Sequence, residues 1–345
     1  QPYHEALTSA GFVVLTLDYR GFGDSEGDAT LLDPMAQVSD IRAGLDYLQT
    51  RPEVDPRRLG LFGSGGTGGG NAVMAAGLDE RVLATVAQVP VADGRDWLHR
   101  MRREHEWLEF LDSVREARER YVTTGELTLV PPRDGIMVPT PERKTTSVKS
   151  DVDGRVPSQV ALHAADAIMA YRPIEVAHRA RALMLIAVEH DAVTPEDHAR
   201  ALYDRATGPR RLLVQTGTTH YAAYAQYRDI VNPRIVDWFQ RYLVGGEVVL
   251  LGSTGLPSDL LIQTGDVATI ADRPTDPRRM PVGEGMGRQR LRDERARPDD
   301  RLLADLDAAQ DRHVRRDPAM APDHDGRGPL PALGVEGVLG RVEDP

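Results

Sequence analysis

Residues 59–76 constrain this chain more than any other stretch. The apolar run Leu59-Gly60-Leu61-Phe62 breaks into Gly63-Ser64-Gly65-Gly66-Thr67-Gly68-Gly69-Gly70-Asn71 and resumes as Ala72-Val73-Met74-Ala75-Ala76. This pattern predicts a buried strand, a tight turn and a helix. A strand delivered by glycines into a helix N-terminus aims backbone N–H groups, and the positive end of the helix dipole, at one point. Such a point suits an anion or a developing oxyanion. Two kinds of site share this construction, the nucleophile elbow and the dinucleotide loop, and the flanking sequence must choose between them.

On either side the pattern is that of a parallel, doubly wound α/β sheet. Phe12 to Leu17 is a short, β-branched apolar run of the kind found in a strand covered on both faces. It is followed by the turn-rich Asp18-Tyr19-Arg20-Gly21-Phe22-Gly23-Asp24-Ser25-Glu26-Gly27. Asp33-Pro34 marks a helix start, and Met35, Val38, Ile41, Leu45 and Leu48 recur at helical spacing to Gln49. Strands are expected at Val82–Val89, Leu183–Val188 and Arg211–Gln215. Helices are expected at Glu196–Ala206 and at Tyr221–Leu243, the latter broken near Asn232-Pro233. From Pro90 to about Tyr171 the chain turns to charged segments bearing Trp97 and Trp107, with a proline-rich loop at Pro131-Pro132. This reads as an insertion, residues 90–171, acting as a lid on a core of residues 1–245.

Composition limits the partners. The chain carries 42 basic and 53 acidic residues, a net charge of −11. An acidic chain without a basic stripe argues against nucleic acid and anionic membrane surfaces. With no cysteine, disulfides, thiol catalysis and thiolate metal sites are excluded. No run approaches the ~18 apolar residues of a membrane span, so a soluble, cytoplasmic protein acting on a small molecule is expected. No spacing of histidines and carboxylates resembles a ligand set, so neither metal nor cofactor is expected. The first residues read as the end of a helix already inside a domain. After Tyr242 there is no aromatic residue and the sequence becomes rich in Arg, Asp, Pro, Gly and Ala, so residues 246–345 are expected to be disordered.

Four features in this order resemble the α/β-hydrolase superfamily over about residues 1–243: Asp18 to Ser25, the glycine turn, Glu189-His190-Asp191-Ala192-Val193-Thr194-Pro195, and Thr218-Thr219-His220. The sequence looks most like the dienelactone-hydrolase and peptidase-like esterase branch, lacking that fold's N-terminal strands. The resemblance implies that Asp191 orients and charge-stabilises His220, and that the Gly66 amide is one oxyanion donor. It implies hydrolysis of an ester, lactone or related carbonyl compound.

The elbow departs from the family pattern, which reads small-x-nucleophile-x-small. Taking Gly63 and Thr67 as the small pair places Gly65, which has no nucleophile, at the elbow. Shifting by one puts Ser64 there but leaves Phe62 where a small residue is needed. With Gly65 at the nucleophile position, the Asp191 and His220 pair is a general base on water or on the substrate itself, and a lyase, a decarboxylase or a binding protein is the alternative. Gly63-x-Gly65-x-x-Gly68 also fits the dinucleotide fingerprint, but the next strand ends Ala87-Gln88-Val89-Pro90, without the acidic residue that holds a ribose. Asp18 and Arg20 are expected to tie their loop to its neighbours, His190 to lie at the surface, Trp97, Trp107 and Met101 to pack the lid, and Arg100, Arg102 and Arg103 to form a solvated face.

Overall fold

The computed structural model describes residues 2–28, 30–146 and 156–245, together with the backbone of three strands at 261–264, 267–271 and 330–335. Helix α1 (Pro2–Ser9) leads into strand β1 (Val13–Thr16) and helix α2 (Pro34–Gln49). Helix α2 starts where Asp33-Pro34 predicts, the Asp33 carboxylate accepting the Met35 N–H at 2.8 Å and capping the first turn. There follow β2 (Val54–Ser64), α3 (Gly66–Leu78) and β3 (Val82–Gln88). Residues between β3 and the next strand of the same sheet form α4 (Gly94–Arg100), α5 (Glu104–Thr124), β4 (Leu129–Val130), α6 (Pro141–Thr145), β5 (Val160–Ala161) and α7 (Ala165–Ala170). The chain then runs through β6 (Leu183–Val188), α8 (Glu196–Arg205), β7 (Arg210–Thr216), α9 (Ala222–Gln226) and α10 (Arg228–Phe239). Three further strands are β8 (Leu261–Thr264), β9 (Val267–Ala271) and β10 (Leu330–Val335).

Eight of these strands form one sheet in the order β1-β10-β2-β3-β6-β7-β9-β8, parallel throughout except for the β8–β9 pair. Alternation along each strand divides the core into two layers. Leu59, Leu61, Leu183, Leu185, Leu212 and Val214 face one way, against Ile41, Leu45 and Leu48 of α2, Val73 of α3 and Leu202 of α8. Phe62, Val86, Met184, Ile186 and Leu213 face the other way, against Leu7 of α1 and Val231, Ile235, Trp238 and Phe239 of α10. Strand β6 is buried at every position, as a central parallel strand covered on both faces must be.

Residues 90–171 carry a core of their own, in which Trp97, Leu98, Trp107, Phe110, Val114 and Ile168 are all buried. Arg102 departs from the expected solvated face: its guanidinium donates to Leu98 O at 3.0 Å and Ile136 O at 2.6 Å and lies 3.8 Å from the Phe110 ring centroid. Burial lowers its pKa. An arginine stem among apolar neighbours covers them while its head satisfies carbonyls, a pattern that a run of arginines does not reveal.

Two further expectations are corrected. The break in the last helical segment falls at Tyr227, between α9 and α10, while Pro233 sits inside α10. Tyr227 is fully buried and its hydroxyl donates to Thr216 O at 2.5 Å, so this anchor rather than the proline sets the bend. In 246–345, the segments 261–264, 267–271 and 330–335 are strands, and β10 lies between β1 and β2. Composition averaged over a long window hides short β-prone runs such as Val267-Ala268-Thr269-Ile270. The other residues of that stretch lie outside the described ones.

Candidate active site

Because β2, β3, β6 and β7 are parallel neighbours, the loops leaving their carboxyl ends emerge along one edge of the sheet, the edge on which open α/β sheets bind ligands. Those loops begin at Gly65, Val89, Glu189 and Gly217.

The first is the glycine turn. Strand β2 ends at Ser64 and α3 begins at Gly66, so the turn residue between them is Gly65, with φ 83° and ψ 165°. Only glycine takes that conformation readily. A Cβ at Gly63 would lie 2.3 Å from Gly68 O and 2.7 Å from the Ala72 Cβ, so the strand can touch α3 only because residue 63 has no side chain. Phe62 points into the opposite layer, 2% exposed, its ring 4.7 Å from that of Tyr3. The backbone therefore centres the turn on Gly65. Ser64 Oγ is buried and has no hydrogen-bond partner, so the structure does not join it to His220. A side chain at Gly65, by contrast, would meet nothing within 4 Å.

Asp191 and His220 come together. Asp191 lies in the loop after β6 and His220 in the loop after β7. The His220 Nδ1 and Asp191 Oδ2 are 2.7 Å apart, and the two side chains are 3% and 0% exposed. The other carboxylate oxygen, Oδ1, accepts the N–H groups of Val193 at 2.7 Å and Thr194 at 2.9 Å. Backbone amides thus fix one carboxylate oxygen and aim the other at the imidazole. The rings of Tyr221 and Tyr224 meet His220 edge-on at 4.9 and 5.9 Å, limiting its rotation. The neighbouring Thr219 hydroxyl donates to the Glu142 carboxylate of α6, tying the histidine loop to the inserted segment.

Backbone strain collects at the same edge. Among the described residues the non-glycine positions with positive φ are Val89 (45°), just after β3, and His190 (55°), next to Asp191. A β-branched residue in that region is a marked outlier, and each such position costs about 1–3 kcal/mol. Val89 is held there by its N–H bond to Ile186 O at 2.7 Å and by packing with Val188, Ala223 and Tyr224. His190 is exposed.

Gly66 opens α3, whose N-terminus has no side-chain cap. Three groups crowd it: the Thr194 Oγ1 and Val91 Cγ2 lie 3.2 Å, and the Trp97 Cζ2 3.4 Å, from where a Cβ would stand. Trp97 is fixed by donating its indole N–H to Val193 O at 2.8 Å. The inserted segment and the aspartate loop together wall in the amide end of α3, and nothing in the sequence pattern announced that Trp97 or Thr194 would stand there. Equally silent was a buried network on α3: the Tyr171 hydroxyl donates to Asn71 Oδ1 at 2.7 Å, and Asn71 Nδ2 donates to Gln37 Oε1 at 3.0 Å. It ties α3 to α2 and to the end of the insertion.

Residues first singled out elsewhere hold loops in place. Arg20 pairs with Asp40 through its Nε and Nη2, and the Asp18 carboxylate accepts the Asp24 N–H. Strand β3 ends in Gln88, whose amide oxygen accepts the Tyr3 hydroxyl, with no acid for a ribose. A cavity of about 310 Å³ between α4 and α8 is lined by Asp93, Asp96, Arg100, Arg172 and His198 among others and contains neither Asp191 nor His220. Among the described residues no group of three or more His, Cys, Asp or Glu is arranged to hold a metal ion, and no helix is long and apolar enough to cross a membrane.

Residues 3–172 match the prolyl oligopeptidase family. An uncharacterised 31.7 kDa protein from the traX-finO intergenic region of Escherichia coli is 29% identical over 247 residues, covering 70% of this chain and 85% of that protein. The quorum-quenching protein AidA of Acinetobacter baumannii is 37% identical over 93 residues, 27% of this chain and 30% of its own length. Among solved structures, the alpha/beta hydrolase GrgF from Penicillium sp. sh18 superposes with a TM-score of 0.55 at 18% identity, over 66% of this chain and 78% of that one.

Proposed function

For a chain that belongs to the α/β-hydrolase superfamily, we propose hydrolysis of an ester, lactone or related carbonyl compound in which Asp191 and His220 activate water above Gly65. The observation that carries this reading is the buried, amide-anchored carboxylate 2.7 Å from the imidazole, beside a turn with open space where a nucleophilic side chain would stand.

Asp191 on Nδ1 leaves Nε2 of His220 as the base. Water attacks the carbonyl carbon as Nε2 takes one of its protons; the new C–O bond forms and the carbonyl π pair moves onto oxygen. That oxyanion lies near the N-terminal amides of α3, where the helix dipole stabilises it. Collapse breaks the bond to the leaving alkoxide, which takes the proton from the imidazolium. The products are the acid and the alcohol, and no covalent enzyme intermediate forms.

The missing side chain at position 65 also supports a second reading, a lyase, a decarboxylase or a binding protein on the same scaffold, in which His220 acts on the substrate directly. Turnover of 4-nitrophenyl acetate, together with labelling by a fluorophosphonate, separates the possibilities. Hydrolysis without labelling, abolished in His220→Ala and unaltered in Ser64→Ala, is expected. Labelling at Ser64 would refute the water mechanism and return the protein to serine hydrolysis.

A further inference from the structure

We propose that the Thr194 hydroxyl is the second oxyanion donor of this site, acting beside the Gly66 amide on the carbonyl oxygen of the substrate. The inference rests on the carbonyl-hydrolysis reading above and names a residue for it that no motif supplied.

Three observations meet at this side chain. Thr194 is 2% exposed, and its Oγ1 is buried without a hydrogen-bond partner. A buried hydroxyl left unpaired is destabilising, and valine has the same shape without that penalty. The hydroxyl is also not needed to hold the loop, because the Thr194 backbone N–H already makes the bond to Asp191 Oδ1. Finally, Oγ1 lies 3.2 Å from the Cβ position of Gly66, at the mouth of a 13-residue helix with no side-chain cap. The first N–H groups of a helix have no partner within it. An uncapped helix N-terminus and an orphaned hydroxyl therefore lie side by side.

A carbonyl oxygen entering there accepts from the Gly66 N–H in the ground state. As negative charge grows on it, the Thr194 O–H donates a second bond, which is stronger to an anion than to a neutral oxygen. The same carboxylate that orients His220 fixes the Thr194 backbone, so base and donor are positioned by one group. Val91 and Trp97, which also crowd Gly66, keep water from competing for the donors.

The test compares Thr194→Val and Thr194→Ser in the full chain, with 4-nitrophenyl acetate as substrate and ethyl methylphosphonate as a mimic of the tetrahedral adduct, its affinity measured by calorimetry. Thr194→Val is expected to lower kcat by about 10²–10³-fold, the usual effect of losing one oxyanion donor, with KM little changed. It should bind the phosphonate at least about tenfold more weakly and melt no lower than the unaltered protein. Thr194→Ser keeps the hydroxyl and should stay near the unaltered protein in all three. A valine variant that keeps both kcat and phosphonate affinity overturns the proposal. So does one whose activity falls only in step with its melting temperature, which would mark Thr194 as structural. If the unaltered protein binds the phosphonate in a Thr194-dependent way but hydrolyses no ester, the hydrolysis reading fails and the donor site stands. If it binds no phosphonate, the donor site fails.

Discussion

Replacing Asp191 by asparagine tests the active-site geometry with little disturbance of the fold. Oδ1 accepts two backbone N–H groups, from Val193 at 2.7 Å and Thr194 at 2.9 Å, and Oδ2 faces His220 Nδ1 at 2.7 Å. An asparagine at 191 must keep its carbonyl oxygen toward the two amides, since turning the NH₂ toward them would oppose donors to donors. The NH₂ then faces the imidazole and donates to Nδ1, forcing the ring proton onto Nε2. His220 stays in place but loses its free base. In serine-protease triads the equivalent change costs on the order of 10⁴-fold in kcat, and general-base catalysis as a whole is worth about 10²–10⁴-fold. A loss within that range is expected here. Stability should change by no more than about 1 kcal/mol, because every hydrogen bond keeps a partner and a buried charge is removed. Asp191→Ala instead orphans the two amides and the Nδ1 proton at about 1–3 kcal/mol each, enough to threaten folding. The assays are urea denaturation, ester turnover and the nitrogen NMR signature of the His220 tautomer. An asparagine variant that keeps its activity, or whose imidazole retains the proton on Nδ1, would refute the reasoning.

Three further outcomes are expected. Gly65→Ser places a hydroxyl in open space above α3 and should confer fluorophosphonate labelling, while its positive φ costs about 1–3 kcal/mol of stability; a stable, unlabelled variant would mean that His220 does not reach position 65. His198, whose Nδ1 accepts the Ala92 N–H at 3.0 Å, has its pKa lowered from 6.5, chiefly by burial and in part by Arg100, against the opposing pull of Asp96, Asp93 and Asp197. Below pH ~6.5 the unfolded chain therefore binds a proton that the folded one refuses, and stability falls as pH falls toward the folded-state pKa; in urea titrations between about pH 7 and 5, His198→Gln should flatten that slope, and an unchanged slope would exclude the residue as its source. Truncation after residue 245 removes β10 from between β1 and β2, and orphaned backbone groups at about 1–3 kcal/mol each should exceed the domain's stability of about 5–15 kcal/mol; a truncated chain with an unaltered melting curve would show that β10 does not support the sheet.

Much of the sheet was legible because burial leaves a direct trace in sequence. Leu183–Val188 is apolar at every position and is a strand over those residues, and Asp33-Pro34 starts a helix through local chemistry alone. The meeting of Asp191 and His220, 2.7 Å apart, was legible through the resemblance, whose motif positions they match in the loops after two parallel strands. What escaped notice depends on contacts between residues far apart in the chain. The Arg102 guanidinium over Phe110, the Asn71 and Tyr171 bond and the place of Trp97 against Gly66 have no periodicity, because each is set by how the insertion docks. The bend at Tyr227 misled for the same reason: proline is a local signal, whereas the bond from Tyr227 to Thr216 O is tertiary.

The glycine run is where the two kinds of information meet. Sequence alone offered Ser64 or Gly65 as the turn residue and left a nucleotide-binding loop as a rival, since all three readings are satisfied by the same letters. The backbone separates the first two by a contact distance: the carbonyl of Gly68 stands where a side chain at 63 would go, so 63 is the position that must be small and 65 the one that turns. Strain at Val89 and His190 falls in loops at the same edge of the sheet, just after β3 and next to Asp191. Evolution of a serine at 65 would meet open space rather than a clash. What opposes a serine there is the backbone conformation, φ 83° and ψ 165°, which favours glycine, and on the proposed reading the attack therefore falls to water.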